Sequence, residues 1–435
     1  MESPIGYRLA RGAFWSLGGT AISRCLNLVS SIIVARMLGK SGFGELGIIQ
    51  STIGMFGAFA GFGMGLTATK FVAEFRAKDP AKAGRIIRLS SVVAWGSSAA
   101  LSAFLALFAP WLASHTLAAP QLSGLLTLSS LLLLLTAVSG AQTGTLAGFE
   151  AFKRIAQINT LVGLASFPLM VGGVLLLGLK GVIWGLIIAQ VLNTILNYLA
   201  IRSEARQARV PLRPPGWYGE LAVVWRFSLP SLLSGVLATP VYWLCSTLLV
   251  NQPEGYAQMG IFNAANQWFI ALLLLPTLLG QVALPLLSER LGQQDTLKSA
   301  RILAVCIKLS ALAAVPLVLL GSLASPYIMA WYGRGFAASW PTLIAVLLTG
   351  GLVAIQTPVG QIIAASGRMW LGGLMNLGWA VCFLLATWWL VRWGALGFAT
   401  ARLLAYIAHT IWTLAFASYL LKKTGQEPDP HATTG

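Results

Sequence analysis

Twelve long apolar stretches constrain this chain more than any other feature of its sequence. A membrane-spanning helix needs about 20 predominantly apolar residues, and each stretch reaches that length. The stretches are approximately Ala13–Leu38, Phe43–Phe71, Leu89–Ala113, Leu122–Phe149, Ile155–Leu179, Val182–Ile201, Phe227–Val250, Met259–Leu287, Ile302–Ser325, Trp340–Ala365, Met369–Val391 and Ala395–Leu421. They do not alternate between apolar and polar residues, as the strands of a transmembrane barrel would. The sequence therefore predicts an all-α polytopic membrane protein with about twelve transmembrane helices.

The small number of charges supports this class. Only 9% of the 435 residues are charged and 57% are hydrophobic, whereas about 25% of the residues in a soluble domain are charged. The net charge is nevertheless +17. In a soluble protein this excess would indicate a nucleic-acid partner. In a chain whose surface is mostly covered by lipid, the same excess of positive charge does not indicate such a partner. We therefore expect no nucleic-acid partner.

The positions of the basic residues predict the orientation of the chain. With the N-terminus placed inside, the inner segments hold 20 of the 29 basic residues and the outer segments hold 5. Cytoplasmic loops of membrane proteins carry the excess of Lys and Arg. We therefore expect both termini to be cytoplasmic, and the protein to be a multi-pass protein of the cytoplasmic membrane.

A polar stretch divides the spans into two sets of six. Residues 202–226 form the longest polar stretch and contain three prolines. We expect it to be a cytoplasmic linker between an N-terminal lobe, residues 1–201, and a C-terminal lobe, residues 227–421, with a short cytoplasmic tail at residues 422–435. Because each lobe has an even number of spans, both enter the membrane in the same direction, as in the parallel repeats of many transporters. This arrangement predicts a central cavity between the lobes.

The loops give no indication of an enzyme. The longest outer loop, approximately residues 326–339, carries one charge, Arg334, and no carboxylate. The sequence shows no Ser/His/Asp set and no phosphate-binding glycine loop. The four cysteines fall in four different spans, without the spacing of a metal site or a disulfide framework. We therefore expect a protein that is not an enzyme and has no metal or cofactor.

Arg24 is the most informative charge within the spans. It lies about 11 residues into the first span, and therefore about 16 Å deep. Thr20, Asn27 and Ser31 share its helical face. A charge at this depth is costly unless it faces water or a partner. Two interpretations remain: Arg24 and Asn27 bind an anionic ligand in a water-filled cavity, or Arg24 bonds backbone carbonyls between helices.

A second polar face lies on the last span. Arg402 is about 8 residues from its outer end, and Tyr406, His409 and Thr413 follow on the same face. This face either contacts a ligand or forms a structural polar seam between helices. A role of His409 in proton transfer is the less favoured alternative to an ordinary hydrogen bond.

The other candidates are single cations and amides. Lys308 is about 7 residues from the inner end of the ninth span, so it either faces the cavity or extends to the membrane surface. Lys70, at the end of the second span, is expected to extend to the surface. Amides at helical spacing on the eighth span line the cavity or join helices. The candidate substrate-binding residues are therefore Arg24, Asn27, Lys308, Arg402, Asn263 and Gln267.

Several short motifs resemble those of the Wzx-type polysaccharide flippases. They are ARMLGKSGFG at residues 35–44, GFG at 61–63, KFVAE at 70–74, WYGRGF at 331–336 and ASGR at 365–368. The resemblance extends over the whole chain, although each motif is short. It places the chain in the multidrug/oligosaccharidyl-lipid/polysaccharide exporter superfamily, together with the lipid II flippases and the MATE drug exporters.

The resemblance implies both a fold and an activity. The fold is twelve helices in two six-helix lobes around a central cavity. The activity is transfer of a lipid-linked oligosaccharide, usually on undecaprenyl pyrophosphate, across the inner membrane for polysaccharides such as O-antigen or exopolysaccharide. A basic cavity without acids is consistent with a pyrophosphate, which arginine binds with bidentate geometry. The implied partners are this substrate, membrane lipids and other polysaccharide-assembly proteins.

Two alternative functions stay open at this point. One is a MATE-like exporter of an amphipathic small molecule, although exporters of cationic drugs need carboxylates that the spans lack. The other is a non-transporting membrane scaffold for glycan assembly.

Overall fold

The computed structural model describes residues 5–212, 214–229, 232, 236–274, 296–365 and 369–424. Every regular element in this part of the chain is helical, and it contains no β-strand. The α-helices are α1 (Ile5–Ala60), α2 (Met64–Phe75), α3 (Pro80–Trp111), α4 (Ser123–Gly148), α5 (Phe152–Gln207), α6 (Ala238–Val250), α7 (Gly255–Leu272), α8 (Thr296–Leu323), α9 (Ser325–Trp331), α10 (Arg334–Ala337), α11 (Trp340–Ala365), α12 (Met369–Leu390) and α13 (Gly394–Thr424). The predicted all-α fold is confirmed.

Some apolar helices are too long for a single membrane crossing. In the described residues, six helical stretches are long and apolar enough to cross a membrane, or seven if α1 and α2 form one broken span. One of the six is α5, with 56 residues, which is about 84 Å long, whereas the apolar core of a bilayer is about 30 Å thick. The backbone of α5 is interrupted at Gly178 (φ 57°, ψ −136°). The interruption lies one residue before the predicted end of the fifth span at Leu179, so α5 contains both the predicted fifth and the predicted sixth span.

Glycines divide two further stretches in the same way. α1 is interrupted at Gly39 (φ 69°, ψ −178°), directly after the predicted end of the first span. Gly394 (φ 63°, ψ −139°) is the first residue of α13 and lies where the eleventh and twelfth spans were predicted to meet. Glycine adopts these angles without the steric cost of a Cβ atom. Each turn allows one long apolar stretch to form two spans.

The predicted second span is broken rather than continuous. It consists of the end of α1 and the whole of α2, which are bent by 45° relative to each other. Phe62 (φ 45°) and Gly63 (φ 69°) at the break have left-handed backbone conformations. The Ser97 hydroxyl donates a hydrogen bond of 2.5 Å to the Ala60 carbonyl oxygen. This bond satisfies an acceptor at the end of α1, where helical partners are missing.

The chain forms two compact units, Met1–Gly260 and Ile261–Gly435. In the first unit, buried apolar side chains of α2, α3, α4 and α5 pack together with the segment that follows α5. Val72, Ile87, Leu146, Ile201 and Val210 belong to this cluster. These two units are defined by how the backbone packs. The division into two six-span lobes, which was predicted from topology, stays a prediction.

The core of the second unit is aromatic. The rings of Phe262 on α7 and Phe398 on α13 are 4.5 Å apart and meet edge to face at 70°. Phe398 also lies 5.7 Å from Phe383 on α12. All three side chains are buried. Because edge-to-face rings attract each other, this cluster joins three helices and brings the polar residues of α7 and α13 close together.

Candidate functional site

Arg24 and Asn27 lie on α1 within the first unit. α1 packs closely against α5 at this level, since a Cβ atom on Gly163 would lie 2.9 Å from the Ser23 hydroxyl oxygen. Arg24 is half-buried and Asn27 is exposed. Ser31 is buried, and its hydroxyl donates a hydrogen bond of 3.0 Å to the Leu28 carbonyl oxygen. Of the predicted polar face, Arg24 and Asn27 are therefore accessible and Ser31 is not, while the side chain of Thr20 lies outside the described residues.

Arg402 is enclosed in the second unit. Its side chain is 8% exposed, and its Nη1 donates a hydrogen bond of 2.8 Å to Asn266 Oδ1 on α7. The guanidinium carbon lies 3.9 Å from the centre of the Phe269 ring and 5.9 Å from that of Tyr406. An amide oxygen and the faces of aromatic rings both stabilise a cation away from water. The contacts between α7 and α13 thus hold this charge in one orientation.

A polar cluster continues from Arg402 along α13. His409 Nδ1 lies 3.0 Å from Gln356 Oε1 on α11, and the Thr410 hydroxyl donates to the same oxygen at 3.0 Å. The Thr413 hydroxyl lies 3.4 Å from His409 Nδ1. His409 and Thr413 therefore do lie on one face, as predicted, and this face joins α13 to α11. Gln356 was not among the predicted residues, and it is 53 positions from its histidine partner.

The other candidates of the second unit differ in exposure. Asn263 and Gln267 are half-buried on α7, next to the Asn266 that holds Arg402. Lys308 lies on an exposed face of α8 together with Leu312, whereas Ser310 is buried. The structure thus brings Arg402 to the polar side of α7, and it leaves Lys308 exposed on α8.

Acidic side chains of the first unit form ion pairs at the ends of its helices. Arg85 Nε donates to Glu220 Oε1 at 2.9 Å, and Arg154 lies 3.6 Å from Glu204. Arg154 and Glu204 lie in the first and last turns of α5, Arg85 lies in the second turn of α3, and Glu220 lies in the segment after α5. Partly exposed pairs of this kind contribute little to stability, about 0–1 kcal/mol each.

The first unit also contains a pocket that no sequence motif indicated. Its volume is about 460 Å³, and Asn251, Glu254 and Tyr256 contribute to its wall. Asn251 Nδ2 donates to the Thr116 carbonyl oxygen at 2.8 Å, and the Tyr256 hydroxyl donates to that of Leu117 at 2.7 Å. The wall is therefore fixed by the turn that follows α3. Asn251 and Glu254 lie in the turn before α7, and Tyr256 lies in its first turn, where sequence gives little indication of a concave surface.

The long apolar helices define the class of the protein as a multi-pass α-helical membrane protein. The chain is similar to the inward-facing conformation of a multidrug resistance MATE family transporter of the MOP superfamily, with a TM-score of 0.75 and 14% identity. The likeness covers 94% of this chain and 96% of that one. It confirms the predicted MATE-like fold class.

The chain belongs to the polysaccharide biosynthesis protein family, whose model matches residues 9–290. It is 25% identical over 394 residues to the EPS I polysaccharide export inner membrane protein EpsE of Ralstonia nicotianae, covering 87% of this chain and 86% of that protein. It is 23% identical over 419 residues to the lipid III flippase of Escherichia coli, covering 92% and 96%. Together with the apolar helices, these relatives confirm the family predicted from the motifs and a multi-pass inner membrane protein.

Proposed function

We propose that this protein is a flippase for a lipid-linked oligosaccharide of the polyprenyl-pyrophosphate type. It moves this substrate from the inner to the outer leaflet for cell-surface polysaccharide biosynthesis. The placement of charge carries the proposal: Arg24, Lys308 and Arg402 lie within spans, whereas none of the twelve acidic residues lies deep in one. A basic path without acids suits an anionic headgroup. The lipid III flippase related to this chain over most of its length supports the same substrate class.

The proposed mechanism is alternating access between two lobes, residues 1–201 and 227–421. Residues 202–226 are the cytoplasmic linker, residues 422–435 are the cytoplasmic tail, and both termini are cytoplasmic. The lobes rock about the cavity, so that the headgroup and sugars cross through it while the prenyl chain stays in lipid. No covalent bond is made or broken, so the protein acts as a transporter and not as an enzyme.

The proposed binding residues differ in role because they differ in accessibility. Arg24 is the principal phosphate contact, since it is half-buried and lies beside the exposed Asn27. Lys308 is exposed and supplies a second cation. Arg402 is secondary because Asn266 and Phe269 hold its guanidinium. Asn263 and Gln267 lie on α7, as Asn266 and Phe269 do, and they line the substrate path next to Arg402.

The test replaces Arg24 and measures delivery of the lipid-linked sugar to the outer leaflet in reconstituted vesicles. Arg24→Ala is expected to reduce the rate at least tenfold, and Arg24→Lys to reduce it less because the charge remains. Arg206→Ala is the matched control, since Arg206 is an exposed arginine in the last turn of α5. Full activity of Arg24→Ala at normal expression would remove its headgroup role.

The two alternative functions give different results in cells. A scaffold for glycan assembly would keep the glycan pathway running in the Arg24→Ala strain but not after deletion of the gene. An exporter of small molecules would confer drug resistance when overexpressed, and its deletion would leave the glycan intact.

A further inference from the structure

Lys70 on α2 lies against two aromatic rings. Its Nζ is 4.3 Å from the centre of the Phe227 ring and 5.0 Å from that of the Phe71 ring. The two rings meet edge to face, 5.4 Å apart. Lys70 itself is exposed. The rings therefore stabilise an accessible ammonium group and limit the directions in which the lysine side chain can extend.

The backbone fixes the two sides of this arrangement. The segment Val224–Ser228 is a short π-helix, and its Ser228 hydroxyl forms a buried hydrogen bond of 2.6 Å with the Thr67 hydroxyl of α2. A Cβ atom on Gly63, at the start of α2, would lie 2.6 Å from the Ser228 carbonyl oxygen. These contacts hold the segment Val224–Ser228 against α2, so that Phe227 lies over the exposed face of α2.

The acidic residue of α2 is the exposed Glu74, one helical turn after Lys70. Within the part of the chain that the structure describes, no carboxylate forms an ion pair with Lys70, whereas Arg85 and Arg154 of the same unit do have carboxylate partners. A lysine ammonium has three N–H donors, and aromatic faces attract its charge without accepting conventional hydrogen bonds. An anion can therefore approach this group and replace water.

The depth of Lys70 fits a lipid phosphate. Lys70 is six positions before Arg76, the residue that caps the C-terminal end of α2, and this spacing corresponds to about 9 Å along the helix. In the predicted orientation, Lys70 then lies just inside the cytoplasmic end of the second span. Phosphates of inner-leaflet lipids reach this level, and the Phe71 and Phe227 rings offer apolar surface to a sugar ring or to the first prenyl units.

We propose that Lys70, Phe71 and Phe227 form an entry site, which binds the diphosphate of the lipid-linked oligosaccharide in the inner leaflet before the headgroup reaches Arg24. The ligand is a lipid diphosphate that carries sugar. This inference rests on the proposed function and adds a second site to it. It also gives the break at residues 61–63 a role, because the bend there sets the direction of α2 and hence the position of Lys70.

The experiment measures binding to the full-length protein in nanodiscs of phosphatidylcholine. The probe is a fluorescent short-chain prenyl diphosphate that carries one sugar. Lys70→Gln is expected to weaken binding about tenfold, since charge-assisted hydrogen bonds are lost. Phe227→Leu is expected to weaken it about threefold, and Lys70→Arg to stay within twofold of the unaltered protein. The matched control is Lys82→Gln, because Lys82 Nζ lies 4.0 Å from the Phe75 ring, in a similar contact near the start of α3.

Three results would overturn the entry site. The first is unchanged binding in Lys70→Gln, and the second is equal loss in Lys82→Gln. The third is competition: phosphatidylglycerol or inorganic pyrophosphate displaces the probe as effectively as unlabelled probe does. Displacement by phosphatidylglycerol would assign the site to any anionic lipid, and displacement by pyrophosphate would assign it to a free diphosphate. If Lys70→Gln proves unstable on heating, the decision passes to Phe227→Leu, and full binding in that variant overturns the site.

Transport is measured separately, so that the two proposals can fail separately. Absence of flipping by the unaltered protein in vesicles, with the probe still bound, would contradict the proposed function and leave the entry site supported. Flipping by the unaltered protein together with normal probe binding in Lys70→Gln and Phe227→Leu would support the function and contradict the entry site.

Discussion

Arg24 and Arg402 are both arginines within membrane-spanning helices, but their surroundings differ. Arg402 is 8% exposed and is held by Asn266 and the Phe269 ring. Arg24 is half-buried on α1 and lies beside the exposed Asn27. In the sequence the two look alike, since each is a charge within a long apolar stretch. In the structure, one is enclosed by its own unit and the other remains partly accessible.

This difference in surroundings suggests different roles, stability for Arg402 and transport for Arg24. A buried arginine that is held by an amide and a ring stabilises the contact between its helices, and its loss leaves a polar partner unsatisfied. A partly exposed arginine contributes less to packing and can meet a ligand. We therefore expect substitutions around Arg402 to lower stability, and substitution of Arg24 to lower transport at nearly unchanged stability.

The largest expected loss of stability follows Asn266→Leu. This change removes the acceptor of the Arg402 Nη1 hydrogen bond and leaves a buried charge less satisfied. The expected loss is about 1.5–3 kcal/mol, the range for hydrogen bonds to charged groups. It is measured as a lower thermal midpoint of the purified protein in detergent. Asn27→Leu, at an exposed asparagine of α1, is the control and should leave the midpoint unchanged.

A double variant sharpens this prediction. Asn266→Leu combined with Arg402→Met replaces the whole polar contact by apolar groups, and such replacements are often neutral. The double variant should therefore recover part of the stability that Asn266→Leu loses. A midpoint of Asn266→Leu equal to that of the unaltered protein would show that the hydrogen bond contributes nothing to stability.

The second largest effect is expected from Gln356→Leu. Gln356 Oε1 accepts from the Thr410 hydroxyl and lies within hydrogen-bond distance of His409 Nδ1. Polar contacts between membrane helices contribute about 0.6–1.7 kcal/mol, so we expect a loss of about 1–2 kcal/mol by thermal unfolding. Gln157→Leu, at an exposed glutamine of α5, is the control. An equal loss in both variants would contradict a specific role of the contact between α11 and α13.

The positions of the spans could be predicted well from the sequence, because apolar length is a local property. The first span was predicted to end at Leu38, and the structure interrupts α1 at Gly39. The tenth was predicted at Trp340–Ala365, the bounds of α11. The break of the second span was not predicted, since glycines in a helix weaken the signal without fixing a bend. The 45° bend depends on Phe62 and Gly63 in left-handed conformations.

The partners of the candidate site could not be predicted in the same way. Helical spacing placed His409 and Thr413 on one face, and the structure agrees. The residue that holds Arg402, however, is 136 positions away in the sequence. No local pattern identifies such a partner, because the choice among the amides of α7 depends on how that helix is rotated against α13. Asn266 is one of four amides on α7, and the two selected as candidates were Asn263 and Gln267.

A smaller effect is expected from Arg402→Lys. The charge remains, but the planar guanidinium that stacks on the Phe269 ring at 3.9 Å is lost. We expect a loss of about 1 kcal/mol in thermal unfolding, within the range for cation–π contacts. Arg392→Lys is the control, because the exposed Arg392 lies 5.1 Å from the Trp393 ring. A loss in Arg392→Lys as large as in Arg402→Lys would mean that burial does not strengthen the contact.

The smallest effect on stability is expected from Arg24→Ala, the variant that is expected to lose most transport. Arg24 is half-buried, so its removal exposes little apolar surface and leaves its side of α1 accessible to water or ligand. We expect a change below about 0.5 kcal/mol, as for surface substitutions away from the packed core. Thermal midpoints of Arg24→Ala and Asn266→Leu are measured side by side in the same detergent. If Arg24→Ala unfolds as early as Asn266→Leu, both arginines are structural, the contrast between them is lost, and the fall in transport has to be attributed to misfolding.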